Sequence, residues 1–192
     1  MFSEIISKCK IQVRKECQFF GALMLFASII KSEKIETAAT DGKDIFFNEQ
    51  FLKSLNSSEQ NALMLHEVLH MALLHVTRRQ SRDPHIWNIA ADIVVNDLIL
   101  RNTSFALPEG AIIDHQYSDK SVEFIYECFL KDNKYKQQKY QLEIADVGNS
   151  SEGSQSTNLS EVEQQEIESY WRDKIQVLKN SAEHDNKDKT QG

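Results

Sequence analysis

The sequence is poor in the residues that build disulfide frameworks, collagen or proline-rich segments. Its 192 residues include 3 cysteines, 2 prolines and 6 glycines. The cysteines, Cys9, Cys17 and Cys128, are odd in number and far apart, so they predict neither a disulfide framework nor a CxxC metal knuckle. The glycine and proline counts exclude collagen-like and proline-rich architectures. We expect free thiols in a reducing compartment and therefore a cytoplasmic protein.

Long apolar segments are also missing. The longest, residues 19–30, is shorter than the roughly 20 apolar residues that a membrane-spanning helix needs. Basic residues precede it, which makes a signal peptide the alternative, but Glu4, Glu16 and the lack of a convincing A-x-A cleavage site favour a buried core segment. We predict no membrane association, and residues 22–30 fit either a strand or a buried helical turn.

Positive charge is in deficit. The chain has 22 Lys and Arg against 29 Asp and Glu, for a net charge of -7. Nucleic-acid binding needs a basic face, so we exclude nucleic acid as a partner. The acidity is concentrated in residues 141–192, which carry 11 acidic and 5 basic side chains. The preceding body is nearly neutral, so an acid within one of its apolar segments requires an explanation.

Composition also predicts how the chain is organised. Ser160 and Glu163 have the spacing of a capping box and indicate the start of a helix near the C-terminus. A stretch rich in Lys and Gln, then in Ser, Gly and Asn, precedes them and is typical of a linker. We therefore predict a domain over residues 1–132, a polar linker over 133–159, a helix over 160–180 and a disordered tail over 181–192.

Turn and capping signals predict a mainly helical α+β fold with one small antiparallel hairpin. Asp41-Gly42 lies between two β-prone segments and favours the type I′ turn of a hairpin, because both central residues need positive φ. Ser57 and Gln60 have capping-box spacing and predict a helix that runs to about Thr77. Asp83-Pro84 predicts a second helix, with Asp as N-cap and Pro at the first helical position.

The first of these helices contains the sequence His66-Glu67-Val68-Leu69-His70, which has H-E-x-x-H spacing. Positions four apart lie on one helix face, so both imidazoles can reach a single metal ion. Glu67 lies about 100° around the helix and can act as general base toward a water beside the metal. The alternative is a solvated polar face, but Leu65, Val68 and Leu69 indicate a central helix, where titratable groups need partners.

A zinc ion that keeps an open position for water needs a third protein ligand. We predict Asp92, because an isolated acid in so apolar a helix requires a cation or a strong donor, and we expect Asn96 to hydrogen-bond it. Asp97 is the competing carboxylate, unless it is an exposed charge near the helix end. His75 follows His70 by five residues, about 140° around the helix, so it points elsewhere unless the helix ends early.

Several separated motifs together resemble a known family. In order, they are Thr37-Ala38-Ala39-Thr40-Asp41-Gly42, Phe47-Asn48, the H-E-x-x-H with His75 and Arg78-Arg79, Trp87-Asn88-Ile89-Ala90-Ala91-Asp92 with Asn96, and Leu107-Pro108-Glu109-Gly110 followed by Ile125-Tyr126. The family is the "putative metallopeptidase domain" usually found N-terminal to a von Willebrand factor A-like domain, and the resemblance spans about residues 10–130. The helix around Trp171 resembles the segment that leads into the A-like domain. Ile113 departs from the family, which often has an aromatic residue there.

The resemblance implies a zincin-like α+β fold, zinc as the metal ion, and a role as a protease or as a partner of an ATPase system. Our first hypothesis is a zinc-dependent peptidase with a small sheet beside the H-E-x-x-H helix. His66, His70 and Asp92 would bind Zn²⁺, and Glu67 would be the catalytic general base in the hydrolysis of a peptide or protein substrate. From zincin architecture, we expect the strand at residues 43–47 to pair with an extended substrate by β-addition.

The second hypothesis is a catalytically silent zinc-binding module that works through protein interactions. The chain ends at Gly192, before an A-like domain. By resemblance, the partner of this module would be a von Willebrand A-like domain or an AAA+ ATPase. The acidic C-terminal segment is suited to docking a basic partner.

Overall fold

The computed structural model describes residues 2–132 and 159–189 as a mainly helical α+β fold with one small sheet. In chain order, the elements are α1 (Phe2–Glu16), α2 (Gln18–Phe26), β1 (Ser28–Lys31), β2 (Ala38–Thr40), β3 (Asp44–Phe47), α3 (Glu49–Ser54), α4 (Ser57–Ala72), α5 (His75–Arg78), α6 (Pro84–Asn102), a 3-10 helix (His115–Tyr117), α7 (Val122–Lys131) and α8 (Glu161–Lys189). The α+β class predicted from the sequence is therefore confirmed. None of the described helices is long and apolar enough to cross a membrane.

The sheet is mixed, whereas we predicted an antiparallel one. Strands β2 and β3 form the expected antiparallel hairpin around Asp41-Gly42. The predicted type I′ turn is wrong, because Gly42 has φ +95° but Asp41 does not have a positive φ. Strand β1 adds to the other side of β3 in parallel, which gives the order β1-β3-β2. This third strand exists because residues 22–30 divide between the end of α2 and β1. Both alternatives that we considered for this segment, a helical turn and a strand, therefore occur. Strand β3 is central, and β1 and β2 are the edges.

Helix α4, which carries the H-E-x-x-H motif, has its N-cap one residue earlier than predicted. The Asn56 side chain accepts from the backbone N–H of Glu59, whose carboxylate accepts from the backbone N–H of Asn56. The predicted capping box of Ser57 and Gln60 is therefore wrong by one residue. Gln60 instead donates its amide to two carbonyls at the end of α3.

The same helix also ends earlier than predicted, at Ala72 rather than about Thr77. Leu74 interrupts it with φ +60°, in the left-handed region that non-glycine residues rarely adopt. A new short helix, α5, begins at His75. Arg78 fixes the break by donating from Nη1 to the carbonyl of Leu73 at 2.8 Å. The interruption changes the direction in which the His75 side chain points.

Helix α6 begins as predicted, with Asp83 as N-cap and Pro84 in the first turn. It packs between α4 and α7. Its buried residue Trp87 joins α7 residues such as Ile125 and Phe129 in a small hydrophobic cluster. Helix α7 therefore packs on one side of α6 and holds the other side of α6 against α4, toward the H-E-x-x-H motif.

Helix α8 is part of the main hydrophobic core, together with side chains of α1, α2 and α4. Its Trp171 is 0% exposed and donates from Nε1 to the carbonyl of Gly42 at 3.2 Å. The capping box of Ser160 and Glu163 is present as predicted. The predicted helix end at 180 is wrong, because α8 continues to Lys189 through residues that we expected to be disordered. The predicted linker, 133–159, lies outside the described residues except for Leu159, as do residues 190–192 of the predicted tail.

Candidate metal centre

The two histidines of the H-E-x-x-H motif converge on one point beside α4. The Nε2 atoms of His66 and His70 are 2.9 Å apart. The His66 side chain is 18% exposed and the His70 side chain 10% exposed, so both rings are largely buried but not sealed from solvent. The i, i+4 spacing on a regular helix places them on the same face, as the sequence predicts.

Helix α6 contributes the carboxylate of Asp92 to the same point. Its Oδ1 lies 3.5 Å from His66 Nε2 and 3.1 Å from His70 Nε2. One ligand atom from each of the three residues falls within 4.8 Å of the others. Two imidazole lone pairs and a carboxylate that face one another need a positive charge between them, either a proton or a metal ion. The structure thus brings together the three residues predicted as metal ligands.

Charge interactions within this cluster raise the pKa of His66 and lower the pKa of Asp92, as in an ion pair. Burial opposes the charged form of His66, but the hydrogen bond and negative charge of Asp92 outweigh it and raise the pKa to about 9. Burial likewise favours a neutral Asp92, yet hydrogen bonds from His66 and His70 hold its pKa well below the usual value. Asp92 is therefore ionised, which is the form that binds a cation.

Asn96 lies beside the cluster, but it contacts a histidine rather than Asp92. Its Oδ1 is 2.9 Å from His66 Nδ1, and its Nδ2 donates to the carbonyl of Ile112 at 2.9 Å. The donation to Ile112 fixes the amide orientation, so Oδ1 accepts the proton of His66 Nδ1. In the neutral ring that binds a metal, Nε2 then presents its lone pair to the cluster. Our expectation that Asn96 would hydrogen-bond Asp92 is wrong, because the amide lies on the outer side of the His66 ring. Asn88, one turn before Asp92, donates to its Oδ2 at 3.5 Å.

The structure places His75 behind His70 rather than in the ligand set. Because α4 ends early, the His75 ring turns back, and its Nδ1 lies 3.2 Å from His70 Nδ1. This nitrogen faces away from the point where the two Nε2 atoms meet. Burial lowers the pKa of His75 well below the usual value, so the ring is neutral. The helix does end early, the condition under which the spacing left His75 open as a ligand, yet the ring contacts the outer nitrogen of His70 rather than joining the ligand atoms.

Asp97, the competing carboxylate, is turned away from the cluster. Its carboxylate accepts from Ser118 Oγ at 2.9 and 3.0 Å and from the Arg101 guanidinium at 3.3 Å. These contacts tie α6 to the segment that follows the 3-10 helix. The one-residue step from Asn96 to Asp97 rotates the side chain about 100° around α6, which explains the separation.

Glu67 lines the cleft in which His66, His70 and Asp92 lie, and it is 8% exposed. Burial raises its pKa above the usual value, and the positive charges of His66 and His70 oppose this only in part. A carboxylate with a raised pKa is a stronger base than one in water. Glu67 therefore lies where the sequence placed it, beside the two histidines and open to the cleft.

The cleft has a volume of about 200 Å³ and is bounded by the edge strand β2, helix α4, helix α6 and the loop over residues 107–112. Within β2, Ala38 and Thr40 line it. Strand β3, which we expected to receive an extended ligand through residues 43–47, is paired on both sides and cannot do so. The free edge at the cleft belongs to β2, because β1 fills the other side of β3.

Comparisons with known proteins give one family match. A family model described as "Putative metallopeptidase domain" matches residues 2–190. An uncharacterized protein of Thermotoga maritima is 24% identical over 117 residues, which cover 57% of this chain and 30% of the relative. The chain therefore matches less than a third of that relative's length. No solved structure matches the chain.

Proposed function

Because the chain belongs to the putative metallopeptidase domain family, we propose that it is a zinc-dependent peptidase. In this proposal His66, His70 and Asp92 bind zinc and Glu67 is the general base. The observation that carries it is the convergence of three ligand atoms within 4.8 Å in a cleft that Glu67 also lines. The two histidines and Glu67 come from one helix and Asp92 from another, so packing of α6 on α4 completes the site.

The donor set and its spacing suit zinc. Ligands at 2.0–2.2 Å from a tetrahedral ion lie about 3.3 Å from one another. The three donor separations here are 2.9, 3.1 and 3.5 Å, so small side-chain adjustments suffice. Two imidazoles and one carboxylate leave a fourth position open, as in catalytic rather than structural zinc sites. Asn96 holds the outer nitrogen of His66, which supports the tautomer that metal binding requires.

The chemistry follows from the position of Glu67. Bound zinc would supply a Lewis acid and lower the pKa of a water in the open position. Glu67 would accept a proton from the water that attacks the peptide carbonyl and would then deliver it to the leaving amine. Its burial keeps the carboxylate from being fully solvated, which favours proton transfer at near-neutral pH.

An extended peptide is the substrate that the cleft favours. At the two ends of the β2–β3 ladder, the carbonyl of Thr37 accepts from the N–H of Asn48, and the N–H of Asp41 donates to the carbonyl of Asp44. By alternation, the backbone groups of Ala38 and Thr40, which line the cleft, point away from β3. A substrate strand would add to this edge and present its carbonyl to the metal and Glu67. An edge strand beside an H-E-x-x-H helix supports a zincin-like arrangement.

Cellular context is a further part of the proposal. All three cysteines are free, which agrees with a reducing, cytoplasmic environment. The family resemblance supports a von Willebrand A-like or AAA+ ATPase partner that presents or unfolds the protein substrate. We propose that the described domain supplies the hydrolytic site of such a system.

The test combines zinc quantification with a general peptide-cleavage screen on protein purified without a His-tag. We expect Glu67→Gln to retain zinc and to lose at least about 10²-fold in cleavage rate, because only the proton-accepting group is removed. Glu59→Gln, the same change at the cap of the same helix and outside the cleft, is the matched control and should cleave normally.

Two results would count against the proposal in different ways. Undiminished cleavage by Glu67→Gln would remove Glu67 from the mechanism. A wild-type protein that holds zinc stoichiometrically and cleaves nothing, while zinc removal abolishes its biological activity, would favour the silent zinc-binding module.

A further inference from the structure

The interrupted C-terminus of α4 places a third histidine against the proposed ligand set. His75 is 3% exposed, and its ring meets that of His70 edge to face, with centroids 4.9 Å apart. Its Nδ1 is 3.2 Å from His70 Nδ1, so one of the two nitrogens donates and the other accepts. Among the described residues, His70 Nδ1 has no hydrogen-bond partner other than His75.

The direction of this hydrogen bond follows from the ligand role of His70. If His70 Nε2 binds a metal ion, its proton must reside on Nδ1. His75 Nδ1 must then be the acceptor, and its own proton resides on Nε2. That Nε2 is buried and has no hydrogen-bond partner among the described residues, which is costly for a polar group. A group that is buried at such a cost is expected to serve a neighbour.

The backbone around His75 is built to hold this position. Leu74 adopts φ +60°, a left-handed conformation that is unfavourable for a non-glycine residue. Trp87, from α6, donates its Nε1 to the carbonyl of His75 at 2.9 Å and packs edge-on against the His75 ring. The same helix that supplies Asp92 therefore also anchors His75. Without the break at Leu74, the side chain would lie about 140° away from His70.

We propose that His75 is a positioning residue for the metal centre. Its Nδ1 accepts the Nδ1 proton of His70 and so orients the Nε2 of His70 toward the ion. This inference rests on the proposed metal ligands but not on peptidase activity. The partner of a metal-binding histidine is commonly a carboxylate, a carbonyl or water. Here it is a neutral imidazole, which fixes the tautomer and ring orientation of His70 without adding negative charge to the site.

The test measures zinc affinity by competition with a chromophoric chelator, together with the thermal stability of each metal-free protein. His75→Leu removes the acceptor and should weaken zinc binding about 10- to 100-fold, the usual effect of losing an outer partner. His75→Asn should restore affinity to within a few-fold, because its Oδ1 can occupy the position of Nδ1. His75→Gln should restore less, because its oxygen lies one bond farther along the side chain. The visible spectrum of the cobalt(II)-loaded protein should change in His75→Leu and return toward wild type in His75→Asn.

His85→Leu is the matched control. It also removes a histidine whose Nε2 is buried without a partner among the described residues, but His85 does not line the cleft. Equal zinc affinity in wild type and His75→Leu would overturn the inference, as would an Asn variant no better than Leu. If His75→Leu does not fold, the Asn and Gln variants decide, and equal affinities in these two overturn it. A wild-type protein that binds no zinc would instead overturn the proposed function.

Discussion

Each histidine of the proposed metal centre has a different partner on each ring nitrogen. The Nε2 atoms face each other and Asp92, while the Nδ1 atoms face Asn96 in one ring and His75 in the other. Since a neutral imidazole carries one proton, an acceptor at Nδ1 leaves the Nε2 lone pair for a metal ion. Both rings are thus oriented by residues that never reach the cluster themselves.

Replacing Asp92 and Asp97 in turn tests which of these two carboxylates is a metal ligand. We expect Asp92→Ala to weaken zinc binding by more than the 10- to 100-fold that loss of an outer partner costs, because a direct ligand is removed. Asp97→Ala is the matched control, since Asp97 contacts Ser118 and Arg101 and should leave zinc affinity unchanged. Zinc content after dialysis measures both. Full zinc retention in Asp92→Ala, or loss in Asp97→Ala, would contradict the ligand set.

The residues of this centre differ in how far the sequence predicts them. Asp92 is predictable because an acid in an apolar helix is expensive unless it meets a cation or donors. The role of Asn96 depends on the relative rotation of α4 and α6, which a pattern on one helix does not contain. His75 is the extreme case, because its position depends on a single left-handed residue, Leu74.

At the scale of secondary structure, the start and end of α4 decide how the motif is presented. The N-terminal cap fixes where the helix begins, and the break after Ala72 separates His75 from the helix. Sequence patterns predict the helix itself because its apolar spacing is strong. They misplace both ends, since Asn56 and Ser57 are both good caps, each followed three residues later by Glu or Gln, and the pattern alone does not choose between them. The hairpin was predictable for a local reason, the Asp41-Gly42 turn, whereas the parallel partner β1 is a long-range pairing.

The N-cap of α4 can be tested directly, because Asn56 and Ser57 are adjacent candidates for this position. Asn56→Ala should lower the free energy of unfolding by about 1 kcal/mol, since it removes acceptors for first-turn N–H groups. Ser57→Ala, the residue favoured by the sequence pattern, should change it by less than about 0.5 kcal/mol, as a substitution outside the cap does. Urea unfolding of both variants measures the difference. A larger loss in Ser57→Ala would indicate that the helix begins one residue later.

At the scale of the whole molecule, the last helix and the hairpin form one unit with the metal centre. Trp171 of α8 donates to the carbonyl of Gly42, at the turn between β2 and β3, and Ile167 packs beside that turn. Strand β2 in turn borders the cleft. Composition suggested a helix separated from the domain by a linker, because the intervening residues are polar. Composition does not indicate whether a tryptophan beyond the polar segment packs into the core, and Trp171 does pack there.

Replacing Trp171 therefore tests whether residues 1–132 form a domain that is stable without α8. Trp171→Ala should lower the free energy of unfolding by about 3–5 kcal/mol, the range for removing a fully buried large aromatic side chain. Tyr170→Ala is the matched control on the same helix; the residue is 42% exposed, so we expect a loss near or below 1 kcal/mol. Denaturant unfolding gives both values. A chain ending at residue 132 should unfold without a cooperative transition, because the core that Ile167 and Trp171 fill would be open. Cooperative unfolding of that fragment near the full-length midpoint would show instead that α8 is an accessory to a domain complete without it.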